Sequence, residues 1–69
     1  MAGTVIRVVT VSDTEARITN VCDYPVTDDK RWMARVIRMV QSDAFCAAQN
    51  GERITVNCMA KGDNTLPIH

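Results

Sequence analysis

The chain has 69 residues and a formal net charge of zero, with 8 basic and 8 acidic side chains. Apolar residues make up 46% of it, which is typical of a globular protein and argues against intrinsic disorder. A chain of this length supports one domain, whose core leaves only a small net stability. We therefore predict a single domain over residues 1–69, with a flexible polar tail at 61–69, that draws any further stability it needs from a partner chain.

The first third of the chain predicts a β-hairpin. Residues 4–11 are rich in β-branched side chains, which favour strands. Residues 12–15 are short and polar, as a turn requires, and residues 16–22 form the second predicted strand. Pro25 ends the pairing because it has no amide hydrogen to donate.

A helix is predicted from Asp28 to about Gln49. Thr27 is suited to the N-cap position, and the acidic residues after it lie at the positive end of the helix dipole. Asn50 and Gly51 tolerate the backbone conformation that ends a helix. Apolar side chains recur with the i, i+3, i+4, i+7 spacing of one buried face. These positions are Met33, Val36, Ile37, Val40, Ala44 and Ala47.

Two residues conflict with an unbroken helix. Asp43 would point into the apolar stripe, and Phe45 would point into solvent. A bend at Ser42–Asp43 removes both conflicts, because either residue can cap a new turn, and we favour that interpretation. If the helix is continuous, Phe45 lies exposed beside the arginines of the outer face and becomes a candidate binding hot spot.

Residues 53–60 alternate between apolar and polar side chains and predict a third strand. The helix crosses back over the sheet, so the third strand pairs antiparallel with the first and the spatial order is 2-1-3. The expected fold is α+β: a two-layer β-β-α-β domain with a three-stranded antiparallel sheet and one long, bent helix on one face.

The position of the turn predicts which side chains share a face of the sheet. A turn at residues 12–15 pairs Val9 with Ile18 and places the more apolar face under the helix. That face is predicted to carry Val5, Val9, Val11, Ala16, Ile18 and Cys22, with Ile54, Val56, Cys58 and Ala60 of the third strand.

The opposite face is predicted to stay open, because one helix cannot cover both. Its apolar side chains lie among threonines and fit a homodimer or another protein interface. The alternative is that they are ordinary exposed strand residues, since strand propensity itself favours β-branched side chains. The free edge of the third strand is a second place where a chain could add. The predicted open patch is Ile6, Val8, Val21 and Met59.

The outer face of the predicted helix carries Arg31, Arg35 and Arg38. No acidic residue lies three or four positions from Arg35 or Arg38. Such a row of arginines suits an acidic protein surface or a phosphate backbone. The alternative is a solvated helix face whose counter-charges come from elsewhere in the fold.

Cysteine number and spacing argue against a disulfide framework and a zinc site. The three cysteines, at positions 22, 46 and 58, are odd in number and widely spaced, and the only histidine is His69. No apolar run is long enough to span a bilayer, and no targeting segment is visible. We expect reduced cysteines, no metal or other cofactor, no membrane partner and a cytoplasmic location.

Catalysis has little support in the sequence. The adjacent carboxylates Asp28 and Asp29 are explained by helix capping, and three isolated glycines form no phosphate-binding loop. We expect a non-enzymatic protein-binding module, of the kind found among small phage and mobile-element inhibitors of host protein complexes. The alternative is a nucleic-acid-binding protein that uses the arginine face, although zero net charge and few aromatic residues argue against it.

Overall fold

The computed structural model describes residues 3–64, and this part of the chain forms three strands and one helix. β1 spans Thr4–Ser12, β2 spans Ile18–Pro25, α1 spans Lys30–Gln49 and β3 spans Glu52–Ala60. The strands form one antiparallel sheet in the order β2-β1-β3, on which α1 packs. The predicted α+β fold and its β-β-α-β layout are confirmed.

The register of the β1–β2 hairpin differs from the predicted one by three residues. Val9 pairs with Val21, whereas the predicted partner was Ile18. From Asn20 onward the shift is odd, and because side chains alternate along a strand it moves these β2 side chains to the other face relative to β1. The predicted distribution of residues between the two faces is therefore wrong in part.

The loop explains the shift. The hairpin closes where the Ser12 amide donates to the Arg17 carbonyl at 2.9 Å, rather than between Ser12 and Glu15, and this moves the register by two residues. The loop is wider than predicted, and within it Ala16 adopts a positive φ of 53°. A β-bulge opposite Thr10 and Val11 leaves Thr19 without a paired residue and adds the third residue of the shift.

The helix lies on the face of the sheet that carries Tyr24. Tyr24 pairs with Ile6, and Cys22 pairs with Val8. The Tyr24 hydroxyl donates a 3.0 Å hydrogen bond to the carboxylate of Asp43 on α1, so these β1 side chains point towards the helix. We call this side of the sheet the helix face; it carries Ile6, Val8, Thr10, Asn20, Cys22, Tyr24, Ile54, Val56, Cys58 and Ala60.

The opposite side, which we call the far face, carries the residues predicted to lie under the helix on β1. The prediction was right for Cys22 and for the β3 positions Ile54, Val56, Cys58 and Ala60. It was wrong for Ala16, which lies in the loop. It was also wrong for Val5, Val9, Val11 and Ile18, which lie on the far face.

The open apolar patch predicted on the sheet does not form. Ile6 and Val8 lie on the helix face, and Val8 is only 2% exposed. Val21 and Met59 lie on the far face. Since the four side chains point to opposite sides of the sheet, a homodimer cannot bury them in one interface.

α1 begins two residues later than predicted. Its N-cap is Asp29 rather than Thr27, and the Asp29 carboxylate accepts hydrogen bonds from the Arg31 and Trp32 amides at 2.9 and 3.2 Å. Thr27, two residues earlier, stabilises this cap because its hydroxyl accepts a hydrogen bond from the Asp29 amide. The predicted stop is confirmed, with Asn50 as the C-cap.

The predicted bend at Ser42–Asp43 is wrong, because α1 is continuous from Lys30 to Gln49. Asp43 does point inward, and the Tyr24 hydroxyl satisfies its carboxylate there. The hydrogen bond with Cys22, burial and the nearby Asp43 raise the pKa of Tyr24 above its ordinary value. A tyrosine hydroxyl is already protonated at neutral pH, and the raised pKa of Tyr24 extends its range as a donor further into alkaline conditions.

The far face contains an arginine that is only 6% exposed. The Arg7 guanidinium donates two hydrogen bonds to the carboxylate of Asp23, its cross-strand partner: Nε to Oδ1 at 2.8 Å and Nη2 to Oδ2 at 2.9 Å. This bidentate pair raises the pKa of Arg7 and lowers the pKa of Asp23. The Arg7–Asp23 ion pair fixes the hairpin register on the far face of the sheet. The Tyr24–Asp43 hydrogen bond fixes the same register on the helix face.

Part of the predicted flexible tail continues the fold. The Lys61 amide donates to the Gly3 carbonyl at 2.7 Å, and the Asp63 amide donates to Ala60 at 3.0 Å. Residues 65–69, including His69, lie outside the described residues. No helix within residues 3–64 combines the length and the apolar character needed to cross a membrane.

Val9 and Val21 test the packing, because they are directly paired but differ in burial. Val9 is 0% exposed and Val21 is 40% exposed. Val9→Ala should lower the free energy of unfolding by about 2 kcal/mol, from two lost methyl groups and the cavity they leave. Val21→Ala should cost less than half as much in the same urea titration. Equal losses would contradict the burial of Val9.

The Tyr24–Asp43 hydrogen bond gives a second test. Tyr24→Phe leaves the half-buried Asp43 without its donor and should cost about 1–2 kcal/mol of unfolding free energy. In an Asp43→Ala background the same change should cost less than half as much, because the hydrogen bond is already absent. If Tyr24→Phe lowered the free energy of unfolding equally in both backgrounds, the hydroxyl would stabilise the fold through a contact other than Asp43.

The Arg7–Asp23 pair predicts a loss of stability in acid. The pKa of Asp23 is lowered in the folded chain, so its contribution is present above the ordinary aspartate pKa of about 3.9 and is lost as pH falls through the lower folded value. Asp23→Asn should therefore flatten the decline in unfolding free energy between about pH 5 and about pH 2. Asp13→Asn, which removes an exposed carboxylate that lies 3.6 Å from Arg53, is the control and should keep the wild-type slope. A wild-type slope for Asp23→Asn would contradict this role.

Candidate functional site

The outer face of α1 presents a row of three arginines and one aromatic residue. Arg31, Arg35 and Arg38 are all exposed, as predicted. Because α1 does not bend, Phe45 continues their row at the spacing i, i+4, i+7, i+14, and it is 65% exposed. The alternative in which the helix is continuous and Phe45 is exposed is therefore the one that forms. We call Arg31, Arg35, Arg38 and Phe45 the arginine–phenylalanine ridge.

The arginines of the ridge differ from the other arginines of the chain. Outside α1, each arginine has an acidic partner: Arg7 with Asp23, Arg17 with Glu15 and Arg53 with Asp13. Within residues 3–64, no ridge arginine forms an ion pair. Residues 3–64 therefore do not supply the counter-charges that the alternative interpretation requires.

The ridge is unfavourable for the helix that carries it. Arg31 lies in the first turn, where a positive charge opposes the helix macrodipole, and that turn holds no acidic residue. Arg31 and Arg35 also repel each other at i, i+4, by about 0.2–0.5 kcal/mol. Asp28 and Asp29 offset part of this cost at the N-terminus of α1, but no acidic residue lies three or four positions from Arg35 or Arg38.

A shallow cleft of about 260 Å³ lies between the C-terminal half of α1 and the neighbouring strands. Its two carboxylates already serve the fold, because Asp43 accepts from Tyr24 and Glu52 accepts from the Thr19 hydroxyl. Within residues 3–64, no three metal-ligating side chains come together. We assign no chemistry to this cleft, which is lined by Thr10, Thr19, Asn20, Asp43, Cys46, Ala47, Asn50 and Glu52.

All three cysteines lie in the described part of the chain, and none forms a disulfide. Cys22 is half-buried on the helix face, where it lies beside Tyr24. Cys46 and Cys58 are exposed. Their separate positions on α1 and β3 show that the cysteines do not form one site.

Sequence analysis missed two exposed apolar residues, one on α1 and one on β3. Ile37 was placed in the buried stripe of the helix, but it is 57% exposed. Val56 lies on the helix face as predicted, yet it remains 45% exposed. A helical projection centred on Val36, which is fully buried, would have placed Ile37 about 100° away from the centre of the stripe.

Comparison with known proteins gives no family for this chain. No protein family, curated protein or solved structure matches it. Function is therefore inferred from the exposed surfaces of residues 3–64, among which the arginine–phenylalanine ridge has the most distinctive chemistry.

Proposed function

We propose that this chain is a non-enzymatic protein-binding module that recognises an acidic protein surface through the arginine–phenylalanine ridge. One observation carries the proposal. All three arginines of α1 are exposed, lack an ion pair within residues 3–64 and align with an exposed phenylalanine, whereas every other arginine of the chain has an acidic partner.

The chemistry of the ridge suits a protein partner. A guanidinium group binds a carboxylate through two parallel hydrogen bonds, which adds geometric specificity to charge attraction. Arginine and aromatic side chains are enriched in protein interfaces, and arginine is prominent among the residues that carry most of the binding energy. From Arg31 to Phe45 the ridge extends about 21 Å, at about 1.5 Å per helical residue. A partner helix or strand that presents acidic side chains next to an apolar pocket would fit it.

The biological role that we propose is inhibition or modulation of a host protein complex by a small phage or mobile-element protein. The support for this role is the concentration of arginines without an ion pair, within residues 3–64, on one face of α1. Such a module acts by occupying a surface of its target.

Nucleic-acid binding is the second candidate, because unpaired guanidinium groups bind phosphates as well as carboxylates. Two observations favour the protein partner. The net charge of the chain is zero, whereas nucleic-acid-binding domains usually carry excess positive charge. Within residues 3–64, Phe45 is also the only aromatic side chain that is mostly exposed, since Tyr24 and Trp32 are half-buried, and this gives bases a single stacking platform.

Charge reversal on the ridge tests the proposal. The double variant Arg35→Glu/Arg38→Glu should fold, as judged by circular dichroism, but should lose the proteins that immobilised wild type retains from a nuclease-treated lysate. Phe45→Ala should weaken the purified interaction by at least about tenfold, as expected for a hot-spot residue. Binding to wild type should also weaken as salt concentration rises.

The matched control is Arg17→Glu/Lys61→Glu, which makes the same change in net charge at exposed residues outside α1. It should retain the same proteins as wild type. Loss of binding in both double variants would show a general charge effect and would contradict the proposal. Material that disappears from wild type on nuclease treatment would identify the second candidate instead.

A further inference from the structure

Within residues 3–64, no strand pairs with the outer edge of β2 or of β3, and these two edges are very different. β2 is unsuitable for further pairing because Pro25 has no amide hydrogen, and its carbonyl already accepts from the Trp32 indole Nε1 at 2.8 Å. The bulge at Thr19 and the charged Asp23 side chain disrupt the same edge. Such features are the usual means by which proteins prevent the addition of another strand.

β3 has none of these features over most of its length. It pairs with β1 without a register shift and contains no proline. Between Arg53 and Lys61 it carries no charged side chain. An edge strand whose last seven residues, 54–60, carry no charge is a ready template for a further strand.

The hydrogen bonds to β1 show which groups of β3 point outward. The Asp13 amide donates to the Gly51 carbonyl at 3.1 Å, and the Lys61 amide donates to the Gly3 carbonyl at 2.7 Å. In an antiparallel pair, hydrogen-bonded positions alternate with non-hydrogen-bonded ones. The backbone amides and carbonyls of the odd-numbered β3 residues therefore point towards β1. The outward amides and carbonyls therefore belong to Glu52, Ile54, Val56, Cys58 and Ala60.

An exposed apolar strip accompanies this edge. Val56, at the midpoint of β3, is 45% exposed although it lies on the helix face. Trp32 contacts β2, and Ile37 lies about 140° from Trp32 around α1, on the other side of the buried Val36. Ile37 is therefore on the side of α1 away from β2. Ile37 is 57% exposed there, so backbone groups and apolar side chains are presented together.

We propose that β3 pairs antiparallel with β3 of a second copy of this chain, with the two-fold axis at Val56. Because β3 spans Glu52–Ala60, a register centred on Val56 pairs all nine of its residues. Val56 faces Val56, Ile54 faces Cys58 and Thr55 faces Asn57, so apolar residues meet apolar residues and polar residues meet polar ones. β-Branched and polar cross-strand pairs of this kind stabilise sheets.

A second copy fits this edge better than an unrelated strand. The pairing is self-complementary: Glu52 faces Ala60 and Arg53 faces Met59, so no like charges lie directly opposite each other. Zero net charge removes long-range repulsion between copies. The joined sheet then ends in two β2 edges, which are unsuitable for pairing, so the assembly stops at a closed two-fold dimer.

A cysteine on the proposed axis tests the register. In a Cys46→Ser/Cys58→Ser background, Val56→Cys should form a disulfide-linked dimer under mild oxidation, because paired Cα atoms at a hydrogen-bonded position lie about 5.5 Å apart. Val21→Cys in the same background is the control, since Val21 is 40% exposed on β2, and it should form at least tenfold less dimer. Equal cross-linking at the two positions would overturn the proposal.

Native Cys58 distinguishes this register from its neighbours. In the proposed pairing it faces Ile54, and the two Cys58 residues lie about 14 Å apart along the strands, too far for a disulfide. Rapid dimer formation through Cys58 in the wild-type chain would overturn the register centred on Val56.

Sedimentation equilibrium tests the dimer without oxidation. Wild type should dimerise with concentration, and Val56→Lys should weaken the dimer at least tenfold while retaining the wild-type circular dichroism spectrum. Val21→Lys should leave the dimer unchanged. A wild-type chain that stays monomeric at several hundred micromolar would overturn the proposal. The Arg35→Glu/Arg38→Glu variant should still dimerise, so loss of ridge binding and loss of the dimer are separate results.

Discussion

The register of the β1–β2 hairpin determines the rest of this structure. It is set by a loop that closes between Ser12 and Arg17 and by the bulge at Thr19. Together these place Tyr24 on the helix face and Asp23 on the far face. A slip of one residue would exchange the two, because adjacent strand residues point to opposite sides. Asp23 would then lose Arg7, and Tyr24 would point away from α1.

The same register explains why α1 is continuous. A carboxylate in the buried stripe of a helix is costly unless a donor reaches it. The Tyr24 hydroxyl is that donor for Asp43. Because α1 does not restart at Asp43, Phe45 stays on the outer face in line with Arg31, Arg35 and Arg38. The candidate binding surface thus depends on a contact made on the opposite side of the helix.

Sequence alone was sufficient for the features that depend on local preference. Strand propensity, helical periodicity and the Asn50–Gly51 stop predicted the elements and their order, and the spacing of the arginines predicted their common outer face. The register was not predictable, because it depends on Ala16 adopting a positive φ and on a bulge that no glycine marks. The partner of Asp43 and the exposure of Val56 were not predictable either, since both depend on how the helix sits on the correctly registered sheet.

The two proposed surfaces are geometrically compatible. Pairing at the β3 edge would produce one continuous sheet with its two-fold axis perpendicular to it, so both copies of α1 would lie on the same face. Each arginine–phenylalanine ridge points away from the sheet and remains free in that arrangement. Two ridges on one face would let a partner with repeated acidic segments bind both copies, and the second contact would form at a high effective concentration. The dimer would in this way present a larger, symmetric surface than one chain does, without a larger core.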